Sequence, residues 1–118
     1  MIFDAGVLIA LEKPSKRRVV LALVEKHLAE GSLPVTTDAV LAQAWRDPAR
    51  QVALTRLART LDVFGFGDPQ VVGVRCGQTR TSDVVDASLA VLADQLGETI
   101  VTTDPADMKK LEATFVEL

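Results

Sequence analysis

The chain has 118 residues, 48% of them hydrophobic and 25% charged, which predicts one globular domain over residues 1–118 that buries a core of its own. The net charge of −3 argues against a protein that coats nucleic acid through a basic surface, and the few aromatic residues argue against a base-stacking platform. No apolar run is long enough to cross a bilayer, and Met1 leads directly into strand-like residues. We therefore expect a cytoplasmic protein without a membrane partner.

Several kinds of site are excluded by the scarcity of cysteine and histidine. Cys76 is the only cysteine, so the chain has neither an internal disulfide framework nor a thiolate cluster for structural zinc. His27 is the only histidine, which argues against a zinc site or a Ser-His hydrolase arrangement. Trp45 is interpreted as a core or interface anchor.

Strand-like and helix-like patterns alternate along the first half of the chain. The segment that ends at Asp4 is a short apolar strand, and Gly31 stops a long amphipathic stretch. Asp38 and Asp47 are predicted to cap the helices that follow them. In chain order we predict a strand over 1–3, a helix from about 7, a break at 14–15, a longer helix after it to about 30, a strand over 33–36, a helix over 39–45 and a helix starting at 47–48.

The second half continues the alternation. Asp68 before a proline predicts a helix start, Ser82 is predicted to cap the next helix, and Gly97 ends that helix. We predict a strand over 63–66, a helix over 69–76, a helix over 83–96, a strand over 99–102, a short helix after 104–105 and a strand over 115–118. Such alternation predicts an α/β fold with a mainly parallel sheet of four to five strands, covered by helices on both faces.

Four aspartates are placed to converge at one edge of this sheet. Asp4 and Asp104 follow predicted strands, and ligands of open parallel sheets bind beyond the carboxyl ends of the strands. Asp83 and Asp86 lie three residues apart near a helix start at the same edge, so their side chains share a face. Hard divalent cations such as Mg²⁺ or Mn²⁺ convert the repulsion of such a carboxylate cluster into coordination.

A structural role competes with this interpretation for some of these residues. Asp104 before Pro105 is also a typical helix cap, and Asp83 in a first helical turn also complements the helix dipole. Asp86 lies on an apolar helix with no basic residue one turn away. Asp4, between an apolar strand and an apolar helix, risks burial that needs a partner or a metal.

Three segments resemble, in order and spacing, the signature stretches of PIN domains, and most closely those of VapC-type toxins. They are Ile2–Ala10 with Asp4, Asp83–Ala90 with both of its aspartates, and Thr99–Asp104. The resemblance implies a three-layer α/β/α fold and a Mg²⁺- or Mn²⁺-dependent ribonuclease that cleaves single-stranded or looped RNA. It implies that Asp4, Asp86 and Asp104 are the core metal ligands, with Asp83 an accessory acid and Thr102 a hydroxyl that orients the cluster.

The chain departs from the family at one position. PIN domains usually have a glutamate in the helix after the second strand, and Gln43 stands there in this chain. An amide ligates through its oxygen but brings no charge and is not a base at neutral pH. Three alternatives stay open: an active site completed by Asp83, a catalytically silent PIN-like module that binds RNA or protein, and a phosphate-handling enzyme with Asp4 as nucleophile.

The resemblance also implies partners. A VapC-type toxin is expected to form a homodimer and to be held by an antitoxin, which lays a helical or extended segment into an apolar groove between the early helices and directs a basic side chain at the acidic pocket. A housekeeping nuclease without an antitoxin is the alternative. RNA phosphates are expected to contact the basic residues at two places in the chain, Lys13, Lys16, Arg17 and Arg18 in the first and Arg46 and Arg50 in the second.

Overall fold

A single five-stranded sheet lies at the centre of the structure, a computed structural model that describes residues 1–118. Its order is β3-β2-β1-β4-β5, and every neighbouring pair is parallel. The predicted α/β class with a mainly parallel sheet of four to five strands is therefore confirmed. The strands are β1 (Ile2–Phe3), β2 (Val35–Thr37), β3 (Asp62–Phe64), β4 (Ile100–Thr102) and β5 (Phe115–Glu117).

Seven helices flank this sheet, and the predicted three-layer α/β/α arrangement is confirmed. The chain passes through at least one helix between any two successive strands, as parallel pairing requires. No helix is both long and apolar enough to cross a membrane. The helices are α1 (Ala5–Ala10), α2 (Pro14–Ala29), α3 (Asp38–Ala44), α4 (Val52–Ala58), α5 (Pro69–Thr79), α6 (Val84–Leu96) and α7 (Pro105–Lys110).

The core is built around the central strands β1 and β4. Ile2, Phe3 and Ile100 are completely buried because both faces of a parallel sheet are covered. Helix α6 packs Leu89 and Ala90 into the same core, and its middle part is its buried part. The apolar runs that predicted these elements are therefore the ones that fold around the sheet.

Two predicted helix caps are wrong by one residue. Ser82 does not cap α6; the Asp83 carboxylate accepts from the Asp86 N–H at 3.0 Å instead. Asp38 does not cap α3; the Thr37 hydroxyl accepts from the Val40 N–H at 3.2 Å. Each helix starts where the side chain can reach the amide three residues ahead, and pattern alone does not fix that register.

The predicted helix start at Asp47 is also wrong. Asp47 lies in a turn, where its carboxylate accepts from the Ala49 N–H at 3.2 Å, and α4 begins only at Val52. The cause is Gln51, a buried amide that binds the preceding loop. Its Oε1 accepts from the N–H groups of Arg46 and Asp47 at 2.7 and 2.9 Å, and its Nε2 donates to a third backbone group, the carbonyl of the last α3 residue, at 2.9 Å.

Candidate active site

The carboxyl ends of β1 and β4 bring two of the predicted aspartates to one edge of the sheet. Asp4 follows β1 directly, and Asp104 lies two residues beyond the end of β4. Since the strands are parallel, their carboxyl ends share this edge, and helices α1 and α7 begin there. Asp83 and Asp86 belong to the first turn of α6, which runs back across the sheet from the same edge.

Three of the four aspartates are N-caps. The Oδ1 atoms of Asp4, Asp83 and Asp104 accept from the backbone N–H three residues ahead, at 2.9, 3.0 and 3.3 Å. Capping therefore explains why aspartate suits these positions. It does not exclude a second role, because a carboxylate has two oxygens and about four lone-pair directions.

Asp4 is the most enclosed of the four, with 4% of its surface exposed. Burial raises the pKa of Asp4, hydrogen bonds from the Thr102 hydroxyl and from the N–H groups of Val7 and Thr103 oppose part of that rise, and the charge of Asp104 adds to it. Asp4 is thus a buried carboxylate that is hydrogen-bonded but has no cation beside it.

Asp86 carries the largest perturbation at this edge. Burial, then the charge and hydrogen bond of Asp83, then the charges of Asp4 and Asp107 raise the pKa of Asp86 to about 7. The charges of Asp83, Asp4 and Asp107 thus all act on the Asp86 carboxyl at this edge.

Asp107 is a fifth acid of this edge that the sequence analysis missed. Partial desolvation, followed by the charges of Asp104 and Asp83, raises the pKa of Asp107 in spite of its exposure. Its backbone N–H is the group that Asp104 caps. The spacing from Asp104 to Asp107 equals the spacing from Asp83 to Asp86, so the argument that paired the latter two would also have found Asp107.

Two threonines connect the strand ends to the acids. Thr102 is fully buried, its hydroxyl bonds to Asp4, and its Oγ1 accepts from the Asp104 N–H at 2.9 Å. Thr103 packs its hydroxyl against Gly6, where a Cβ would stand only 1.9 Å from Thr103 Oγ1. Gly6 is therefore needed for the close approach of α1 to the loop after β4.

The side chains at the acidic edge are of the kind that bind divalent cations, but they are not arranged as a metal site in this structure. All five acids offer hard oxygen ligands, and none of the three ion pairs in the structure involves any of them. However, no group of three or more His, Cys, Asp or Glu side chains is arranged to hold a metal ion. In this structure three of the carboxylates are turned toward the backbone amides that they cap.

The remaining residues that the sequence analysis assigned to the site form no hydrogen bond with the aspartates. Gln43 is exposed on α3, and no hydrogen bond joins it to the aspartates. Arg46 folds back on the end of α3, where its Nη1 donates to the carbonyl oxygens of Ala42 and Trp45 at 3.1 and 2.6 Å. Lys13 and Lys16 are exposed at the start of α2.

The largest groove of the molecule is not at the acidic edge. It encloses about 580 Å³ between α2 and α4, and it brings together arginines from the two basic segments, Arg17 and Arg50, with Arg56. Glu12 is its only acidic lining residue. The apolar lining consists of Leu11, Leu21, Val24, Val52, Ala53, Leu54 and Leu57.

Solved structures share this fold over nearly the whole chain. The crystal structure of PAE2754 from Pyrobaculum aerophilum has a TM-score of 0.71 at 18% identity and covers 98% of this chain and 81% of that one. VapBC2 from Rickettsia felis, bound to a DNA fragment from their promoter, has a TM-score of 0.68 at 15% identity and covers 100% and 99%. The chain has a PIN-domain fold. FitAcB from Neisseria gonorrhoeae has a TM-score of 0.67 at 15% identity, and the match covers 97% of this chain and 94% of that one.

The PIN-domain fold confirms the resemblance to VapC-type proteins that three short segments predicted. At the level of sequence, no family model and no curated protein matches this chain. At identities of 15–18% the likeness establishes the fold, and the chemistry must be argued from this chain's own residues.

Proposed function

We propose that this chain is a metal-dependent endoribonuclease of the PIN/VapC type and the toxin of a toxin–antitoxin pair. The observation that carries the proposal is the acidic edge of the PIN-domain sheet. Burial and mutual repulsion raise the pKa values of Asp4, Asp86 and Asp107 there, and no ion pair of the chain relieves them. Clusters of perturbed acids at a sheet edge are typical of functional sites.

Mg²⁺ or Mn²⁺ is the cofactor that this donor set favours. Asp4, Asp86 and Asp104 are proposed to hold it, while Asp83 and Asp107 add negative charge around it. When bound, such an ion supplies an activated water and neutralises charge on the phosphate. With a pKa of about 7, Asp86 still carries a proton in part of the population at neutral pH, and that proton must leave before the carboxylate can ligate.

Asp107 adds negative charge to a site in which Gln43 replaces the glutamate that PIN domains usually have. Gln43 brings no charge to the site, whereas Asp107 lies close enough to Asp86 to raise its pKa. Asp107 therefore supplies a negative charge near Asp86 that Gln43 does not. We expect Gln43→Glu to change metal affinity less than removal of Asp107 does.

RNA is the proposed substrate, held mainly through its phosphates. The basic side chains proposed for this role are Lys13, Lys16 and Arg50, all of which are exposed. Arg50 also pairs with Asp47 at 3.5 Å, an exposed ion pair that a phosphate can replace. Arg46 is proposed as a weaker contributor because its guanidinium already donates to two carbonyl oxygens. Its exposed position still allows exchange of one of those bonds for a phosphate.

The test is cleavage of a mixed panel of structured RNAs by purified protein with Mn²⁺, with Mg²⁺ and with chelator. Asp4→Asn is the matched variant, since asparagine keeps an oxygen acceptor for the Val7 N–H and so preserves the cap. Asp94→Asn, near the end of α6 and away from the acidic edge, is the control for effects of preparing a variant. Cleavage that needs the metal and is lost only in Asp4→Asn supports the proposal. Cleavage that survives the chelator would instead favour a nuclease that does not depend on a metal. RNA binding without any cleavage would favour a silent binding module.

An antitoxin is the proposed protein partner, and the groove between α2 and α4 is its proposed binding site. Apolar side chains form most of this groove, and three arginines face one acidic residue there, so it suits an apolar segment that carries carboxylates at its margins. This groove supports the expectation of a partner segment between the early helices, and its three arginines favour an acidic segment.

Growth inhibition tests the partner. Expression of the chain in bacteria is expected to slow growth, and co-expression of a neighbouring gene for a small DNA-binding protein is expected to restore it. Leu21→Glu places a charge in the groove, while Leu28→Glu changes an equally exposed leucine of the same helix outside it. Co-expression of the partner should fail to restore growth with Leu21→Glu and should restore it with Leu28→Glu. If growth is restored equally with both variants, the groove is not the binding site of the partner.

A further inference from the structure

A cavity of about 270 Å³ lies between helix α6 and the loop that joins β3 to α5. Phe64 and Phe66 line it on the side of the loop, and Ser88 and Gln95 line it on the side of α6. The chain has four Phe, one Trp and no Tyr, so this cavity holds two of its five aromatic residues. Both rings are only partly buried against the core, which leaves part of their surface open to a ligand.

The loop also presents backbone groups that the fold leaves free. The N–H and carbonyl groups of Gly65, Phe66 and Gly67 form no hydrogen bond with another backbone group. Because glycines flank Phe66 on both sides, its ring is the only side chain of this segment that covers them. Gly67 has a φ of +93°, which favours glycine, and it turns the chain from the cavity into α5. A ligand in the cavity therefore meets free backbone donors and acceptors beside an aromatic ring.

The polar side chains of the cavity suit an uncharged ligand. Gln95 is exposed and brings an amide, which both donates and accepts. The Ser88 hydroxyl donates to the Val85 carbonyl at 2.6 Å, and its oxygen can still accept a hydrogen bond. Asp68 is the only charged residue of the lining, so the cavity repels a phosphate. Aromatic rings together with amide and backbone groups are what proteins use to hold an unpaired base.

The cavity adjoins the acidic edge of the sheet. Phe64 ends β3 in register with Thr37 of β2, and β2 in turn lies beside β1, which Asp4 follows. Two strand spacings of about 4.8 Å therefore separate the strand ends at Phe64 and Asp4. On α6, Ser88 follows Asp86 by two residues, a rise of about 3 Å along the helix. When an RNA phosphate lies at the acidic edge, the base of an adjacent nucleotide is within reach of the cavity.

We propose that this cavity binds one unpaired base of the RNA next to the cleaved bond and so selects where the chain cuts. The phenylalanine rings contact the face of the base, and Gln95 and the free backbone groups of the loop bind its edge. The inference rests on the proposed function, since it takes the acidic edge as the place of cleavage. One enclosed base differs from the platform for successive bases that the few aromatic residues exclude.

RNA that lacks a single base tests this assignment. An abasic nucleotide is placed at each position around the cleaved bond in turn, and kcat/KM is measured for each RNA. For the wild type, one position should lower kcat/KM about fivefold or more, as expected for the loss of one stacked base. Gln95→Ala and Phe66→Leu should lower kcat/KM on intact RNA, and the abasic nucleotide should then cost them little more, because the contact is already lost.

The control variant is Gln78→Ala, which changes an exposed glutamine of α5 outside the cavity and should behave as the wild type does. Phe66→Leu keeps an apolar side chain against the core, and circular dichroism establishes that all variants are folded. If the abasic nucleotide costs Gln95→Ala and Phe66→Leu as much as it costs the wild type, the base is bound elsewhere. That result would overturn the base site and leave the proposed nuclease activity standing.

Binding without cleavage separates the two proposals in the other direction. With chelator present, fluorescence anisotropy measures the dissociation constants of end-labelled single-stranded hexanucleotides of adenylate, cytidylate and uridylate. The tightest of the three should bind Gln95→Ala about fivefold more weakly than it binds the wild type and Gln78→Ala. Such a difference in a chain that cleaves no RNA would support the base site and refute the nuclease. Equal binding by all three proteins would overturn the base site.

Discussion

Asp86→Asn should stabilise the metal-free protein at pH 8 more than it does at pH 5. The folded-state pKa of Asp86 is raised from 3.8 to about 7, so the folded chain holds a proton there that the unfolded chain has already lost. Between these values the folded state binds more protons, and stability therefore falls as pH rises through this window. Asparagine removes the charge, so the variant does not lose this stability as the pH rises.

The size of the effect follows from the shift. One pKa unit corresponds to about 1.4 kcal/mol, so the full shift corresponds to about 4 kcal/mol. Asp86 is partly exposed, which reduces that figure, and the interval from pH 5 to pH 8 covers only part of the titration. We expect the free energy of unfolding gained by Asp86→Asn to be about 1–2 kcal/mol larger at pH 8 than at pH 5.

Urea unfolding of both proteins at the two pH values, in the presence of a chelator, measures this difference. Asp62→Asn is the control, because Asp62 is an exposed aspartate on the edge strand β3 and should show no such dependence. If Asp86→Asn changes stability equally at both pH values, or destabilises the protein more at pH 8, the carboxylates do not interact as described.

Three further predictions concern contacts that stabilise the fold. Gly6→Ala should force the Thr103 hydroxyl out of its position and lower the melting temperature, and Thr103→Ala in the same chain should recover most of the loss, which thermal unfolding of the two variants and the double variant measures. Gln51→Leu should cost about 2–3 kcal/mol in urea unfolding because it leaves two part-buried N–H groups of the loop before α4 and one buried carbonyl at the end of α3 without their partner, and a loss below about 0.5 kcal/mol would show that the loop does not need the amide. Arg75→Ala should cost about 1–3 kcal/mol, and Asp94→Ala less, since only Arg75 also donates to the Leu111 carbonyl; equal losses would mean that the ion pair alone matters.

Much of the fold was accessible from local patterns. The apolar strands that precede Asp4 and Asp104, and the glycine and proline residues that bound the long helices, depend on neighbours within a few residues. The alternation of strands and helices then predicted the parallel sheet and its functional edge. The order of the strands was not accessible, because it depends on which helix crosses which face.

The errors arose where a long-range or competing contact decides. Asp83 rather than Ser82 caps α6, since the register of a helix start is set by packing as well as by the capping residue. The late start of α4 depends on Gln51 binding groups up to seven residues away, and no spacing rule marks that residue. Asp107 differs from these, because its spacing from Asp104 repeated a pattern already noticed at Asp83.

The acidic edge of the sheet as a divalent cation site is the claim on which the proposed function depends. Calorimetric titration of Mn²⁺ into the chelator-stripped protein, beside Asp4→Asn and Asp94→Asn, tests it without reference to any substrate. We predict saturable binding by the wild type and by Asp94→Asn, with at least tenfold weaker binding by Asp4→Asn, because that variant keeps an acceptor for the Val7 N–H but loses the charge and one ligand oxygen. Absence of binding, or equal binding by all three proteins, would contradict the assignment of this edge as a metal centre.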